Sequence, residues 1–183
     1  MKLLVVTIEK FQEIEMYGVL GTLKRSGKFE QMIFWNPDGQ KEVVGSNQIG
    51  SIKTINEEIN VDDFDAIFIP GGASCINLRT NQKAIKLIEE FINKDKWIIS
   101  ICDGPNALHD NNIFLEKQYS SYPIENIDKK SGKNRNKNYI TVDKKYITGK
   151  CPSASIDLGI QVIETIFSKE LSQKVYKAIF GIE

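Results

Sequence analysis

The stretch Trp97-Ile98-Ile99-Ser100-Ile101-Cys102-Asp103-Gly104-Pro105 decides how this chain is built. Its first five residues read as a strand buried on both faces. Cysteine follows, then residues that turn the chain and open a helix. A reactive atom on a strand-to-helix turn has the shape of a nucleophile elbow, with cysteine in place of serine. A second buried run, Asp65-Ala66-Ile67-Phe68-Ile69, ends in Pro70-Gly71-Gly72. A third occupies Met1–Ile8.

Amphipathic segments alternate with these strands. Glu13–Ser26 carries Met16, Tyr17, Leu20 and Leu23 at helical spacing, and Gly27 closes it as a left-handed cap. Glu30–Trp35 is a strand, Asn36-Pro37-Asp38-Gly39 a turn, and Glu42–Val44 a short returning strand. Gln82–Asn93 is a helix with Ile85, Ile88, Phe91 and Ile92 on one side, and Asp103–Asp110 a short one. Tyr139–Val142 and Lys145–Thr148 form a hairpin around Asp143-Lys144. Ser153–Phe167 and Lys169–Phe180 are helices, the first opening with serines suited to capping. Such alternation predicts an α/β fold: a mostly parallel central sheet with helices on both faces. In such sheets the site lies beyond the carboxyl ends of the strands.

Composition narrows the function classes. The 183 residues suit one domain, with no repeat or linker. Lys+Arg and Asp+Glu are equal at 24 each, so nothing attracts the whole chain to nucleic acid or anionic lipid. No segment approaches the roughly 18 apolar residues a membrane helix needs. The run Leu3–Ile8 is too short for a signal-peptide core, so a cytoplasmic protein is expected. Three scattered cysteines fit neither a disulfide framework nor a zinc site, and one histidine excludes a His-based metal cluster. No metal or cofactor is expected. The basic stretch Asp128–Asn138 lacks aromatic platforms and reads as a mobile solvated loop.

Three strand ends carry a cysteine: Gly71-Gly72-Ala73-Ser74-Cys75, Cys102-Asp103, and Gly149-Lys150-Cys151-Pro152. Cys75 and Cys151 fit equally well as small hydrophobes. Cys102 differs, because a thiol at a helix N-terminus meets unpaired N–H groups and the positive end of the dipole. Such sites lower a cysteine pKa from about 8.5 to roughly 3.5–7.5, which predicts a thiolate. The amides of Asp103 and Gly72 would hold an oxyanion formed near the sulfur. On residues alone, Glu13 and Glu15 are first-turn carboxylates that favour the helix dipole.

Over nearly its whole length the sequence resembles the ThiJ/PfpI (Parkinsonism-associated deglycase-like) family of the class I glutamine-amidotransferase-like superfamily. The resemblance is carried by Met1–Ile8 with Phe11-Gln12-Glu13-Ile14-Glu15, by Ile69-Pro70-Gly71-Gly72, and by Ile101-Cys102-Asp103-Gly104-Pro105 with Ala107-Leu108. Tyr122-Pro123 and Thr148-Gly149-Lys150-Cys151-Pro152 match more loosely. It implies one domain over 1–183, a flavodoxin-like three-layer sandwich and a homodimer. It also places Glu15 beside the Cys102 sulfur. A carboxyl there would be pushed towards its protonated form and would shuttle a proton.

The chain departs from the family pattern at histidine. Asp103 follows the cysteine where many relatives have His, and Tyr122-Pro123 stands where His-Pro is common. His109 lies two helical turns beyond Cys102 and reads as a surface or core residue rather than a base. With no Cys-His dyad, peptidase activity is not expected. Tyr122 would serve as a donor but, with a pKa near 10, not as a base. Lys150, at a position often arginine, reads equally as a solvated lysine or as an attractor of anions.

Two functions remain. In the first, Cys102 and Glu15 act on a small electrophile, a reactive carbonyl or isonitrile, by hydrolase- or lyase-type chemistry. In the second, Cys102 is oxidised in a stress or sensing role, with Cys151 able to resolve it as a disulfide. A non-catalytic regulatory module is a third reading.

Overall fold

The computed structural model describes residues 1–114, 116–124 and 134–183. In chain order the elements are β1 (Lys2–Val6), α1 (Glu13–Arg25), β2 (Gln31–Trp35), β3 (Glu42–Val44), β4 (Ser51–Lys53), β5 (Ala66–Ile69), α2 (Ser74–Leu78), α3 (Gln82–Asn93), β6 (Trp97–Ile101), α4 (Gly104–Asp110), β7 (Tyr119–Ser120), β8 (Arg135–Asn136), β9 (Ile140–Asp143), β10 (Tyr146–Gly149), α5 (Ser155–Ile166) and α6 (Lys169–Phe180).

Six strands form the central sheet in the order β2-β1-β5-β6-β10-β9. All neighbours are parallel except β9 against β10. The five parallel strands, counted along the chain, run 2-1-3-4-5, the flavodoxin-like order. Residues alternate between the two faces of each buried strand. Leu3, Val5, Phe68, Ile99 and Ile147 join one core with Met16, Val19 and Leu23 of α1 and Leu158 and Val162 of α5. Leu4, Val6, Ile67, Ile69 and Ile98 join the other with Ile85, Ile88 and Phe91 of α3 and Ala107 and Leu108 of α4. Helices on both faces follow from strands that are apolar on both faces.

The helices α1 and α5 pack closely on one face of the sheet. A Cβ on Gly159 would lie 2.6 Å from Thr22 Cβ, and one on Gly18 would lie 2.8 Å from Ser155 Cβ. Among the described residues, no helix is long and apolar enough to cross a membrane.

Several local expectations change. Tyr17, read into the buried stripe of α1, is 48% exposed, because the core face runs through Met16, Val19, Leu20 and Leu23 instead. Strand β3 does not return to β2. It pairs with β4 in a separate antiparallel ribbon. The serines near residue 153 do not cap α5: its N-cap is Ala154, and Ser155 Oγ donates to Pro152 O instead. Ser168 does cap α6, accepting from Leu171 N–H. Of the basic stretch 128–138, positions 128–133 lie outside the described residues. Within the remainder, β8 pairs in parallel with β7.

Candidate functional site

The carboxyl ends of β5 and β6 converge with the start of α1. Strand β6 delivers Cys102 at φ +62°, the left-handed region that a side chain seldom occupies. Two hydrogen bonds hold this conformation. Cys102 N–H donates to Gly149 O at 2.9 Å, and Tyr122 N–H donates to Cys102 O at 2.8 Å. Gly104 lets the following helix lie against the strand ends: a Cβ there would sit 2.5 Å from Ser100 Oγ and 2.9 Å from Ile69 O.

Glu15 reaches the elbow from the first turn of α1. It is fully buried, and its Oε2 accepts a hydrogen bond from Gly71 N–H at 2.6 Å. Its other oxygen, Oε1, meets no well-placed donor among the described residues. Its carboxyl and the Cys102 thiol lie close enough that each shifts the other's titration. Gly71 shows how tight this junction is. A Cβ on it would lie 2.7 Å from Cys102 Cβ, 2.7 Å from Glu15 Oε2 and 2.9 Å from Asp103 N. A Cβ on Gly72, which sits at φ +97°, would lie 2.6 Å from Gln12 N and 2.9 Å from Lys10 O, where the loop crosses the start of α1.

The electrostatics differ from the low-pKa thiolate that the sequence suggests. Burial pushes Glu15 from an ordinary 4.5 up to about 7, against the hydrogen bonds from Cys102 and Gly71, and the Asp103 charge adds to the rise. Burial and the Glu15 carboxylate push the Cys102 thiol up, and the Asp103 N–H hydrogen bond opposes them. Cys102 is only 7% exposed, and α4 is seven residues long, so its dipole does not outweigh the loss of water. The two groups titrate as a pair: two negative charges this close repel, so one proton is kept between them above neutrality.

The other residues singled out in the sequence take varied places. Gly72 and Asp103 line an open cleft of about 910 Å³ together with Ala73, Ile76, Arg79 and His109. Tyr122 touches the elbow through its backbone, while its side chain belongs to a residue 42% exposed. Lys150 donates its N–H to Tyr139 O and is not among the residues lining that cleft. Cys151 is partly exposed, with its sulfur 3.1 Å from Ser153 Oγ. Cys75 is fully buried against Pro70 O, and burial raises its pKa far above the usual range. His109 is a buried residue of α4 whose ring centroid lies 5.6 Å from that of Tyr119.

Sequence reasoning missed Arg79. Its Nη1 and Nη2 donate to Asp103 Oδ2 and Oδ1 at 2.8 and 2.7 Å, and its Nε donates to Asp110 Oδ2 at 2.8 Å. Nη1 also donates to Cys75 O at 3.0 Å. Asn106 Nδ2 adds a bond to Asp103 Oδ1 and one to Tyr122 O. No motif surrounds Leu78-Arg79-Thr80, so only the packing of α2 beside α4 discloses the pairing.

The sequence pattern of the DJ-1/PfpI family matches residues 1–165. An uncharacterised protein of Mycoplasma genitalium, MG029, is 26% identical over all of this chain and 97% of its own. A Pyrococcus abyssi protein named a deglycase is 28% identical, covering 67% of this chain and 73% of its own. Among solved structures, oxidized Toxoplasma gondii DJ-1 superposes with a TM-score of 0.84 at 22% identity, covering 98% of this chain and 97% of its own.

Proposed function

The chain belongs to the DJ-1/PfpI family, and we propose that it is an enzyme in which Cys102 attacks a small reactive carbonyl compound while Glu15 moves the proton. The observation that carries this reading is the convergence at Gly71, where Cys102 Cβ, Glu15 Oε2 and Asp103 N all lie within 2.9 Å of one point. A nucleophile, a proton carrier and an N–H donor meet there, at the edge of a cleft. The deglycase name of the Pyrococcus abyssi relative supports carbonyl chemistry over an isonitrile.

In the first step the sulfur bonds to the aldehyde carbon as the C=O π pair moves to oxygen. Glu15, with its pKa near 7, takes the thiol proton as sulfur attacks and returns a proton to the alkoxide. The Asp103 and Gly72 amides hold the oxygen while it is charged. The product of this step is a hemithioacetal on Cys102, a net addition with no oxidant needed. For a 2-oxoaldehyde, transfer of the C1 proton to C2 and hydrolysis of the resulting thioester by water return the free thiol. Oxidation sensing has less support. A thiol that is buried and pushed up in pKa offers little thiolate to peroxide.

The same reading includes a homodimer. Ile14, Tyr17, Val44 and Ile49 are exposed apolar residues on α1 and the β3–β4 ribbon, and Ile49 is 80% exposed. Asn47 stitches these elements together through Glu13. The three unpaired cysteines suit a reducing, cytoplasmic compartment.

Methylglyoxal, a neutral 2-oxoaldehyde, tests the chemistry. We expect its consumption by the wild-type protein, an intact-mass adduct on Cys102, and loss of both in Cys102→Ser. Glu15→Gln should slow the reaction by about 10²–10⁴-fold. Ready alkylation of Cys102 by iodoacetamide, without aldehyde consumption or adduct, would overturn the reading.

A further inference from the structure

We propose that Arg79 is a positioning residue for the Cys102–Glu15 pair: by gripping both oxygens of Asp103 it fixes the peptide whose N–H reaches the sulfur and cancels a carboxylate charge beside the pair. This rests on Cys102 as the reacting group, but not on the identity of the electrophile.

The geometry is that of a bidentate fork, the arrangement that Arg provides and Lys does not. Both partners are largely withdrawn from water, with side-chain exposures of 22% and 15%. The hydrogen bond to Asp103 also raises the pKa of Arg79, so its charge is permanent. Arg79 lies at the end of α2, the helix that follows Gly71-Gly72. Asp103 is the residue after the nucleophile. One guanidinium therefore ties the Gly-Gly strand end to the elbow, and its bond to Cys75 O and its Nε contact with Asp110 fix it in place.

The charge has a consequence as well. The charges that bear on the pair include its own two members, Asp103 and Cys75, and Arg79 reaches the pair through the Asp103 carboxylate it grips. Asp103 is the carboxylate next to the pair, and its negative charge disfavours a second negative charge there. Arg79 offsets it. Without Arg79, the pair should lose its proton at higher pH. Without the Asp103 charge, the unmatched guanidinium should make it lose the proton at lower pH.

The experiment measures the rate of Cys102 alkylation by iodoacetamide against pH, read by intact mass, in the full-length protein. In wild type the thiol reacts as Glu15 takes its proton, so the midpoint is expected where Glu15 becomes ionised, near 7. Arg79→Gln should raise it by about half to one pH unit, a three- to tenfold slower reaction at pH 6.5. Asp103→Asn should lower it. The double variant should return close to wild type, and Arg79→Lys, which keeps the charge, should hold the wild-type midpoint. A merely structural arginine would lower the melting temperature and leave the midpoints alone. Unshifted midpoints, or shifts of the same sign in Arg79→Gln and Asp103→Asn, would overturn the proposal. If Arg79→Gln does not fold alone, the double variant against Asp103→Asn decides it: losing the guanidinium should raise the midpoint back toward wild type, and an unmoved midpoint would overturn the proposal. Because the readout is alkylation, failure of aldehyde turnover would leave this result standing.

Discussion

Glu15 Oε2 accepts the Gly71 amide hydrogen at 2.6 Å, a bond across 56 positions that brings the first helix to the lip of β5. It holds a buried carboxyl against the nucleophile elbow. It also makes the bare α-carbon of residue 71 a requirement of the site.

Gly71→Ala should therefore damage the site more than the fold. The added methyl would stand 2.7 Å from both Cys102 Cβ and Glu15 Oε2, and 2.9 Å from the Asp103 nitrogen. Cys102 Cβ and Asp103 N are set by the backbone, and the Glu15 carboxyl, though at the end of a long side chain, is fully buried and held by Gly71, so they yield little. Overpacking of this kind costs about 1–3 kcal/mol. We expect a modest fall in denaturation midpoint and a loss of Cys102 alkylation of more than about tenfold, since a 1 Å misplacement is costly at a reacting centre. Wild-type alkylation in a folded Gly71→Ala protein would contradict the packing.

The pH dependence of stability should carry the mark of Glu15. Its carboxyl titrates near 4.5 when unfolded and about 7 when folded. Between those values the folded state holds more protons, so stability falls as pH rises. The contribution is intact below 4.5 and lost as pH climbs through 7. The loss amounts to about 3 kcal/mol. Urea denaturation at pH 4.5 and pH 8 should show this decline in wild type and a flatter profile in Glu15→Gln. Parallel profiles would mean that the carboxyl is not held neutral by its site.

The three cysteines should react in a fixed order. Cys151, partly exposed, should be labelled by iodoacetamide first at pH 6. Cys102, whose thiol gives up its proton only to an ionised Glu15, should speed up as pH passes about 7. Cys75 is fully buried and should be labelled only on unfolding. Timed labelling with peptide mapping checks the order. Early modification of Cys75 would place it wrongly in the core.

The apolar surface on α1 and the β3–β4 ribbon should be covered in solution by a second copy. Ile14→Asp combined with Ile49→Asp would set charges in the middle of that surface, where desolvation has no compensation. Light scattering should give a dimer for wild type and a monomer for the double variant, with the alkylation profile of Cys102 kept. A wild-type monomer at micromolar concentration would dismiss the dimer.

The apolar runs at 1–8, 65–69 and 97–101 determined on their own that the sheet is parallel and buried on both faces, because only such a sheet needs no polar side. The Gln82–Asn93 and Lys169–Phe180 helices were equally legible, since a 3.6-residue period and local capping suffice to define them. Cys102 stood out because a reactive side chain between a buried strand and Asp-Gly-Pro has few other uses. Glu15 did not stand out: on residues alone it was one of two first-turn acids, and only the resemblance set it apart from Glu13. In the structure Glu13 binds Asn47 and Glu15 binds Gly71, a difference settled by which side of α1 faces β5. Arg79 and the direction of the Cys102 pKa were invisible for the same reason. Both depend on distances between segments far apart in the chain and on the water excluded from between them, and no local pattern encodes either.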